Sequence, residues 1–160
     1  MKSVIYPGSF DPVTLGHLDV ICRAVDIFGS LTVAVLYNSR KNAMFTPEER
    51  VDMIRRVTVG LPVTVLSSNK LLVDFAHEIG CEVAVKGLRA ISDFEHEFQM
   101  ALTNRKMSPS LDTIFLNTSL EYLYLSSSLV KEVGRMGGDI TPFVPAEIAD
   151  DVSKRIKEGT

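Results

Sequence analysis

The sequence has few cysteines, and the two that it contains are isolated from each other. Cys22 and Cys81 lack the close spacing of metal ligands, and each lies among apolar residues. Both are therefore expected to be reduced thiols of the core, not halves of a disulfide.

Long apolar segments are also missing. No apolar run approaches the roughly 20 residues that a membrane-spanning helix requires. Met1, Lys2 and Ser3 lead directly into a strand-like run, with no signal region or cleavage site. We therefore expect a soluble protein of the cytoplasm that has no membrane partner.

An excess of positive charge is the third absence. The formal net charge is −3, and the isoelectric point is near 5.6. A nucleic-acid partner would require a basic face to meet its phosphates, so this class of partner is not expected. Local basic residues can still meet a small phosphorylated ligand.

The length and composition indicate an ordinary globular chain. Hydrophobic residues make up 46% and charged residues 23% of the 160 positions, both near the average for globular proteins. A chain of this size buries about 70% of its unfolded surface. We see no repeats or low-complexity segments, and we expect one domain over residues 1–160.

Strand-like and helix-like patterns alternate along the chain. Strands are predicted from Val4 and at residues 31–36, 63–66, 82–85 and 113–116. Helices are predicted after Thr14, at 46–59, 71–79 and 91–106, from Leu125, and at 145–157. A capping box is predicted at 46–49, with Pro47 at the first helical position, and a glycine turn at 86–89. This order predicts an α/β fold, a doubly wound five-stranded parallel sheet with helices on both faces. Ligands of such sheets bind at the carboxyl ends of the strands.

The most informative stretch is YPGSFDPVTLGH at residues 6–17, which joins the first strand to the first helix. Gly8 permits close approach of a ligand, and Thr14 is a plausible N-cap. His17 would then lie in the first helical turn, where N–H groups and the helix dipole favour an anion. The alternative is an ordinary turn with a solvated capping histidine. Asp11 is expected to cap its own turn.

Four blocks of sequence carry a family resemblance. Thr14-Leu15-Gly16-His17 resembles the (H/T)xGH signature of a nucleotidyltransferase superfamily with a Rossmann-like fold. The blocks MFTPEER at 44–50, KGLRAISDFEHE at 86–97 and SSSLVKE at 126–132 resemble those of the bacterial phosphopantetheine adenylyltransferase family. The similarity extends over most of the chain, with the blocks in the order that the family has.

The resemblance implies transfer of an adenylyl group from ATP to 4′-phosphopantetheine, which gives dephospho-coenzyme A and pyrophosphate in the penultimate step of coenzyme A synthesis. It also implies Mg²⁺ as cofactor, a homohexamer and inhibition by coenzyme A. The sequence shows no carboxylate cluster with ligand spacing, so the metal is expected to be held mainly by the phosphates of the nucleotide. The alternatives are another small-molecule nucleotidyltransferase, such as one acting on nicotinamide mononucleotide, and a non-catalytic ATP-binding module.

Site residues also follow from the resemblance. His17 is implied to stabilise the transferring α-phosphate. The implied ATP contacts are Ser9, Phe10, His17, Gly87, Leu88, Arg89, Glu97, Tyr122, Leu123, Tyr124, Leu125, Ser126, Ser127 and Ser128. The implied acceptor contacts are Ser9, Lys41, Leu72 and Lys86, with Arg40 as a lesser candidate.

Several of these residues also have simpler interpretations. Lys41 is equally typical of a solvated loop, and Leu72 of the core. Glu97 fits an ion pair on a helix face, whereas Ser127 and Ser128 fit helix caps. Lys86 stands where the family commonly has arginine; it keeps the charge but loses the two-pronged geometry. His77 and His96 match no chemical motif and are read as surface or packing residues.

Overall fold

A computed structural model describes residues 3–37, 42–89 and 91–159 of the chain. These residues contain one sheet of five parallel strands in the order β3-β2-β1-β4-β5. The strands are β1 (Val4–Gly8), β2 (Leu31–Leu36), β3 (Val63–Ser68), β4 (Val83–Leu88) and β5 (Asp112–Asn117). The predicted five-stranded parallel sheet is therefore confirmed.

Helices connect the strands. They are α1 (Leu15–Phe28), α2 (Pro47–Val57), α3 (Leu72–Glu78), α4 (Ile91–Met107), α5 (Ser127–Arg135) and α6 (Ala146–Glu158), and a short 3₁₀ helix covers Leu120–Tyr122. In the described part of the chain, none of them combines the length and the apolar character needed to cross a membrane.

The sheet is buried on both faces because alternate side chains of each strand point in opposite directions. Val4 and Tyr6 of β1 belong to a core on one face, which α1, α2, α5 and α6 cover. Ile5, between them in sequence, belongs to a smaller core with Val73 and Phe75 of α3. Helices therefore cover both faces, as the sequence predicted.

Two helix starts follow directly from the sequence. Thr14 is the N-cap of α1, and its hydroxyl accepts a hydrogen bond from the His17 backbone N–H at 3.3 Å. Thr46 and Glu49 form a reciprocal capping box at α2, with Pro47 in the first turn. Both predicted caps are confirmed.

The end of β4 differs from the prediction. The sequence indicated a glycine turn at Lys86-Gly87-Leu88-Arg89, but β4 continues through Leu88 and pairs with β5 up to Leu88↔Asn117. Gly87 serves close packing here, since a Cβ on it would lie 2.9 Å from Cγ2 of Val20 in α1. The prediction of a turn is therefore wrong, because sheet pairing and helix packing override the local preference of glycine.

The centre of the sheet is a topological switch point. β1 lies between β2 and β4, with Ile5 opposite both Thr32 and Ala84. The chain proceeds from β1 through β2 to β3 on one side, and then returns to β4 and β5 on the other. A crevice is expected at the carboxyl ends of β1 and β4, where these connections diverge.

Candidate active site

A cavity of about 520 Å³ lies at this switch point. Its lining comes from the β1–α1 turn, the end of β4, the first turns of α4, Thr118 and the start of α5. It brings together most of the residues that the sequence proposed: Ser9, Phe10, His17, Lys86, Gly87, Arg89, Glu97, Leu125, Ser126, Ser127 and Ser128.

Phe10 fixes the conformation of the β1–α1 turn. Its backbone has φ 47°, in the left-handed region that non-glycine residues rarely adopt. Its buried ring lies over Gly8, where an added Cβ would be 2.9 Å from the ring atoms. The ring also makes edge-to-face contacts with Tyr6 and His17, at centroid distances of 5.3 and 5.0 Å. This packing holds Ser9 at the cavity.

His17 both caps α1 and lines the cavity. Its Nδ1 accepts a hydrogen bond from the Thr14 backbone N–H at 3.0 Å, which completes a reciprocal capping box. Because Nδ1 is the acceptor, a neutral ring carries its proton on Nε2. Nε2 is then the nitrogen that can donate a hydrogen bond to a ligand.

The surroundings of His17 keep the ring neutral. Burial of the imidazole, followed by the charges of Arg89 and Lys86, lowers the pKa of His17 to about 4. The ring is therefore uncharged near pH 7. The sequence offered capping and ligand binding as alternatives, and the geometry makes them compatible, because each uses a different ring nitrogen.

The start of α5 adds a second helix N-terminus to the cavity. Ser126 is the N-cap, and its hydroxyl accepts the Leu129 N–H at 3.1 Å. The Ser127 hydroxyl donates to the Pro12 carbonyl at 2.7 Å. Within the described residues the Ser128 hydroxyl makes no hydrogen bond. Ser126, and not Ser127 or Ser128, is therefore the N-cap of α5. The unpaired backbone N–H groups in the first turn of α5 favour an anion at this end of the helix.

Arg89 lines the cavity, and its guanidinium is already hydrogen-bonded within the protein. Its Nε and Nη2 donate to the two carboxylate oxygens of Asp93 at 2.9 and 3.3 Å, and its Nη1 donates to the Leu125 carbonyl at 2.9 Å. These contacts tie the end of β4 to α4 and to the start of α5. Asp93 was missed at the level of sequence, although its spacing of four residues from Arg89 is typical of an ion pair.

Lys86 and Glu97 form the second charged pair of the cavity, with Lys86 Nζ 3.3 Å from Glu97 Oε2. Glu97 of α4 therefore does form an ion pair, as its simpler interpretation suggested, and its partner comes from β4. Both side chains are partly buried. A ligand phosphate that approaches Lys86 meets a cation that a carboxylate already neutralises in part.

Some proposed residues lie outside the cavity lining. Leu72 is half-buried and packs against the core that α3 covers. Lys41 and Arg40 lie outside the described residues. The others, on β4 and on the segment before α5, are Leu88, Tyr122, Leu123 and Tyr124.

Comparison with known proteins identifies the family. The model of the cytidylyltransferase-like family matches residues 5–133. A protein of Caldanaerobacter subterraneus that is named phosphopantetheine adenylyltransferase is 48% identical to this chain, over 99% of both chains. A protein of the same name from Clostridium botulinum is 51% identical to this chain, over 98% of this chain and 99% of the relative. A third, from Lachnoclostridium phytofermentans, is 54% identical over 92% of this chain and 91% of its own length.

The chain belongs to the phosphopantetheine adenylyltransferase family. A solved structure of a lipopolysaccharide core biosynthesis protein from Thermoplasma volcanium has a TM-score of 0.55. The structural alignment covers 74% of this chain and 97% of the Thermoplasma volcanium chain, at 19% sequence identity. The likeness therefore concerns the fold alone.

The cavity also contains residues that the sequence analysis did not propose for the site. Tyr6 and Thr118 line it, and burial raises the pKa of the Tyr6 hydroxyl, which stays protonated. His96, which was read as a surface or packing residue, is exposed at the cavity's edge. Position at a strand's carboxyl end is the one signal that could have found Tyr6 and Thr118.

Asp11 does not have the predicted role. Instead of capping its own turn, its carboxylate accepts the backbone N–H groups of Met44 and Phe45, each at 2.9 Å, and lies 3.1 Å from Lys131 Nζ. The prediction was wrong because these partners are distant in sequence.

The described residues contain no group of three or more histidine, cysteine or acidic side chains that could hold a metal ion. The carboxylates at the cavity, Asp93 and Glu97, are paired with Arg89 and Lys86. This donor set fits a cation that brings most of its ligands with the substrate.

Proposed function

We propose that this chain transfers the adenylyl group of ATP to the phosphate of 4′-phosphopantetheine, giving dephospho-coenzyme A and pyrophosphate. The observation that carries the proposal is a neutral histidine donor at one of two helix N-termini that share a cavity with Arg89 and Lys86. Relatives that are about half identical over nearly their whole length carry the name of this activity.

The chemistry requires little proton transfer. A phosphate oxygen of the acceptor attacks the α-phosphorus of ATP, the bond from that phosphorus to the bridging oxygen breaks, and pyrophosphate leaves. The attacking oxygen is already ionised, so no strong base is needed. The protein must position the two phosphates and stabilise the charge that develops between them.

His17 is suited to that stabilisation. The cap holds its ring, and Nε2–H is available to donate to an oxygen of the α-phosphate. The low pKa of His17 means that the ring is neutral, and the Nε2–H of a neutral imidazole is too weak an acid to give its proton to the phosphate. His17 therefore acts through hydrogen bonding alone.

The other donors divide between the substrates. The start of α5 and Arg89, which line the cavity, are assigned to the β- and γ-phosphates of ATP, with Ser128 offering a hydroxyl. Lys86 is assigned to the acceptor and Glu97 to the nucleotide, so ligand binding exchanges their mutual ion pair for new contacts. Lys41 remains the predicted lysine for the acceptor phosphate.

Mg²⁺ fits this site as an ion that arrives with ATP. Phosphate oxygens and water would supply most of its ligands, with Asp93 or Glu97 as the nearest protein carboxylates. When bound, it would neutralise phosphate charge during the displacement.

The resemblance further supports inhibition by coenzyme A, a cytoplasmic location and assembly into a homohexamer. Apolar side chains exposed on α4 are consistent with assembly: Phe94, Phe98 and Leu102 are 41%, 45% and 57% exposed. Such exposure on one helix is typical of a surface that another protomer covers.

Pyrophosphate release tests the proposal. The chain, ATP and Mg²⁺ are mixed with either 4′-phosphopantetheine or nicotinamide mononucleotide, and release is followed over time. We expect pyrophosphate release with 4′-phosphopantetheine and none with nicotinamide mononucleotide. Release with nicotinamide mononucleotide instead would indicate another nucleotidyltransferase, and ATP binding with no release from either would indicate a binding module.

A further inference from the structure

Asp11 is a buried carboxylate that joins three separate parts of the fold. It is 6% exposed. Its Oδ2 accepts the Met44 N–H and its Oδ1 accepts the Phe45 N–H, both at 2.9 Å. Oδ2 also lies 3.1 Å from Nζ of Lys131 in α5. Both oxygens are thus engaged, and the β1–α1 turn is tied to the segment before α2 and to α5.

The Met44–Phe45 backbone is held from its other side as well. Arg155 of α6 donates from Nη1 to the Met44 carbonyl at 2.8 Å. Its guanidinium also lies 4.8 Å from the centroid of the buried Phe45 ring. This segment belongs to no strand or helix, so side chains such as Asp11 and Arg155 determine where its backbone lies.

The segment lies beside the β1–α1 turn, whose Ser9 and Phe10 line the cavity. Buried Arg50 of α2 donates from Nη1 to the Ser9 carbonyl at 2.9 Å, which is a second tie between these two parts. The segment follows β2, on the side of β1 away from β4. Arg89 and Glu97, which are assigned to the nucleotide, come from the β4 side, whereas Lys41, which is predicted for the acceptor phosphate, follows β2 in the sequence. The acceptor is therefore assigned to the space between the β2 side and Lys86 of β4, which also lines the cavity.

We infer that Asp11 is a positioning residue for the acceptor: its carboxylate fixes the Met44–Phe45 backbone against the Ser9–Phe10 turn, and so sets the shape of the acceptor's side of the site. The inference rests on the proposed function. Asp11 touches no reacting atom in this role. Its loss is therefore expected to change binding of one substrate more than binding of the other.

The test compares Asp11→Asn with Lys131→Met. An amide has one acceptor oxygen, so Asp11→Asn loses a backbone hydrogen bond together with the ion pair, whereas Lys131→Met removes the ion pair alone. Asp11→Asn is expected to raise the KM for 4′-phosphopantetheine about tenfold while the Kd for ATP changes by less than about threefold. Lys131→Met is expected to leave both constants within about threefold.

A double variant guards against failure to fold. Asp11→Asn leaves the Lys131 ammonium partly buried without its partner, which is destabilising, and adding Lys131→Met removes that charge. The double variant should show the same selective rise in the acceptor's KM. Calorimetric ATP binding by the same preparation shows that the site is folded.

An unchanged acceptor KM in ATP-binding Asp11→Asn or in the double variant would overturn the inference. An equal loss of affinity for both substrates would do so too, since it would indicate general damage to the fold. If the wild-type chain releases no pyrophosphate with 4′-phosphopantetheine, the proposed function fails. If it does and the variants show no selective effect, only the role of Asp11 fails.

Discussion

The cavity has two walls that differ in their electrostatics. The neutral wall consists of the starts of α1 and α5, with His17 and Ser126–Ser128. The charged wall consists of the end of β4 and the first turns of α4, where Arg89 and Lys86 are paired with Asp93 and Glu97. The neutral wall offers hydrogen-bond donors that internal contacts hold in place, whereas the charged wall offers cations that already have partners.

This difference indicates a division of labour. A donor that is fixed before the reaction stabilises developing charge without reorganising, so its largest effect is on the transition state. A paired cation must exchange a carboxylate for a phosphate, so part of its new interaction replaces an old one. We therefore expect His17, in the neutral wall, to control turnover, and the charged wall to control substrate binding.

The largest effect is expected for His17→Ala. Loss of a donor of this kind typically lowers turnover about 10²- to 10³-fold, or roughly 3 to 4 kcal/mol, while the Kd for ATP should change by only a few-fold. Loss of the cap should also lower the free energy of unfolding by about 1 kcal/mol. Steady-state turnover, ATP calorimetry and thermal unfolding measure the three effects.

A control variant separates the two roles of His17. Glutamine is a usual partner in a capping box, so His17→Gln should unfold nearly like the wild-type chain. Near-normal turnover in folded His17→Ala would remove the distinction between the walls.

Arg89→Ala should have the next largest effect, on binding. Loss of charge-assisted hydrogen bonds to phosphate should raise the Kd for ATP about 10- to 100-fold, with turnover at saturating ATP changed much less. As the matched control, Asp93→Asn leaves Arg89 in place and removes its competitor, so ATP affinity should not fall. A greater loss in turnover than in affinity for Arg89→Ala would place Arg89 with the neutral wall instead.

Ser128→Ala should have the smallest effect. The exposed hydroxyl makes no hydrogen bond within the described residues, so its removal should raise the Kd for ATP only a few-fold and leave thermal unfolding unchanged. Ser126→Ala removes the N-cap of α5 and should cost about 1 kcal/mol of stability. A stability loss for Ser128→Ala as large as that for Ser126→Ala would contradict this assignment.

The neutral wall could be predicted well from the sequence because the contacts that fix its side chains join residues close together in the chain. Thr14 and His17 are three residues apart and form their cap within one helical turn. Pro47 and the Thr46–Glu49 box likewise start α2 as predicted. In each case the partners lie close in sequence, so their spacing alone indicates the contact.

The charged wall and the Asp11 contacts could not be predicted in the same way. The extension of β4 through Gly87 depends on pairing with β5 and on packing against Val20. Asp11 binds backbone groups more than thirty residues away. Such contacts depend on the tertiary arrangement, which residue spacing does not encode.

The state of the His17 ring is the most direct test of the account. The nitrogen chemical shifts of the three histidines can be followed by NMR as the pH is changed, with His17→Gln identifying the His17 signals. The account predicts a neutral ring with its proton on Nε2 at pH 7 and a protonation midpoint near 4. A proton on Nδ1, or a midpoint near the ordinary value of about 6.5, would contradict it.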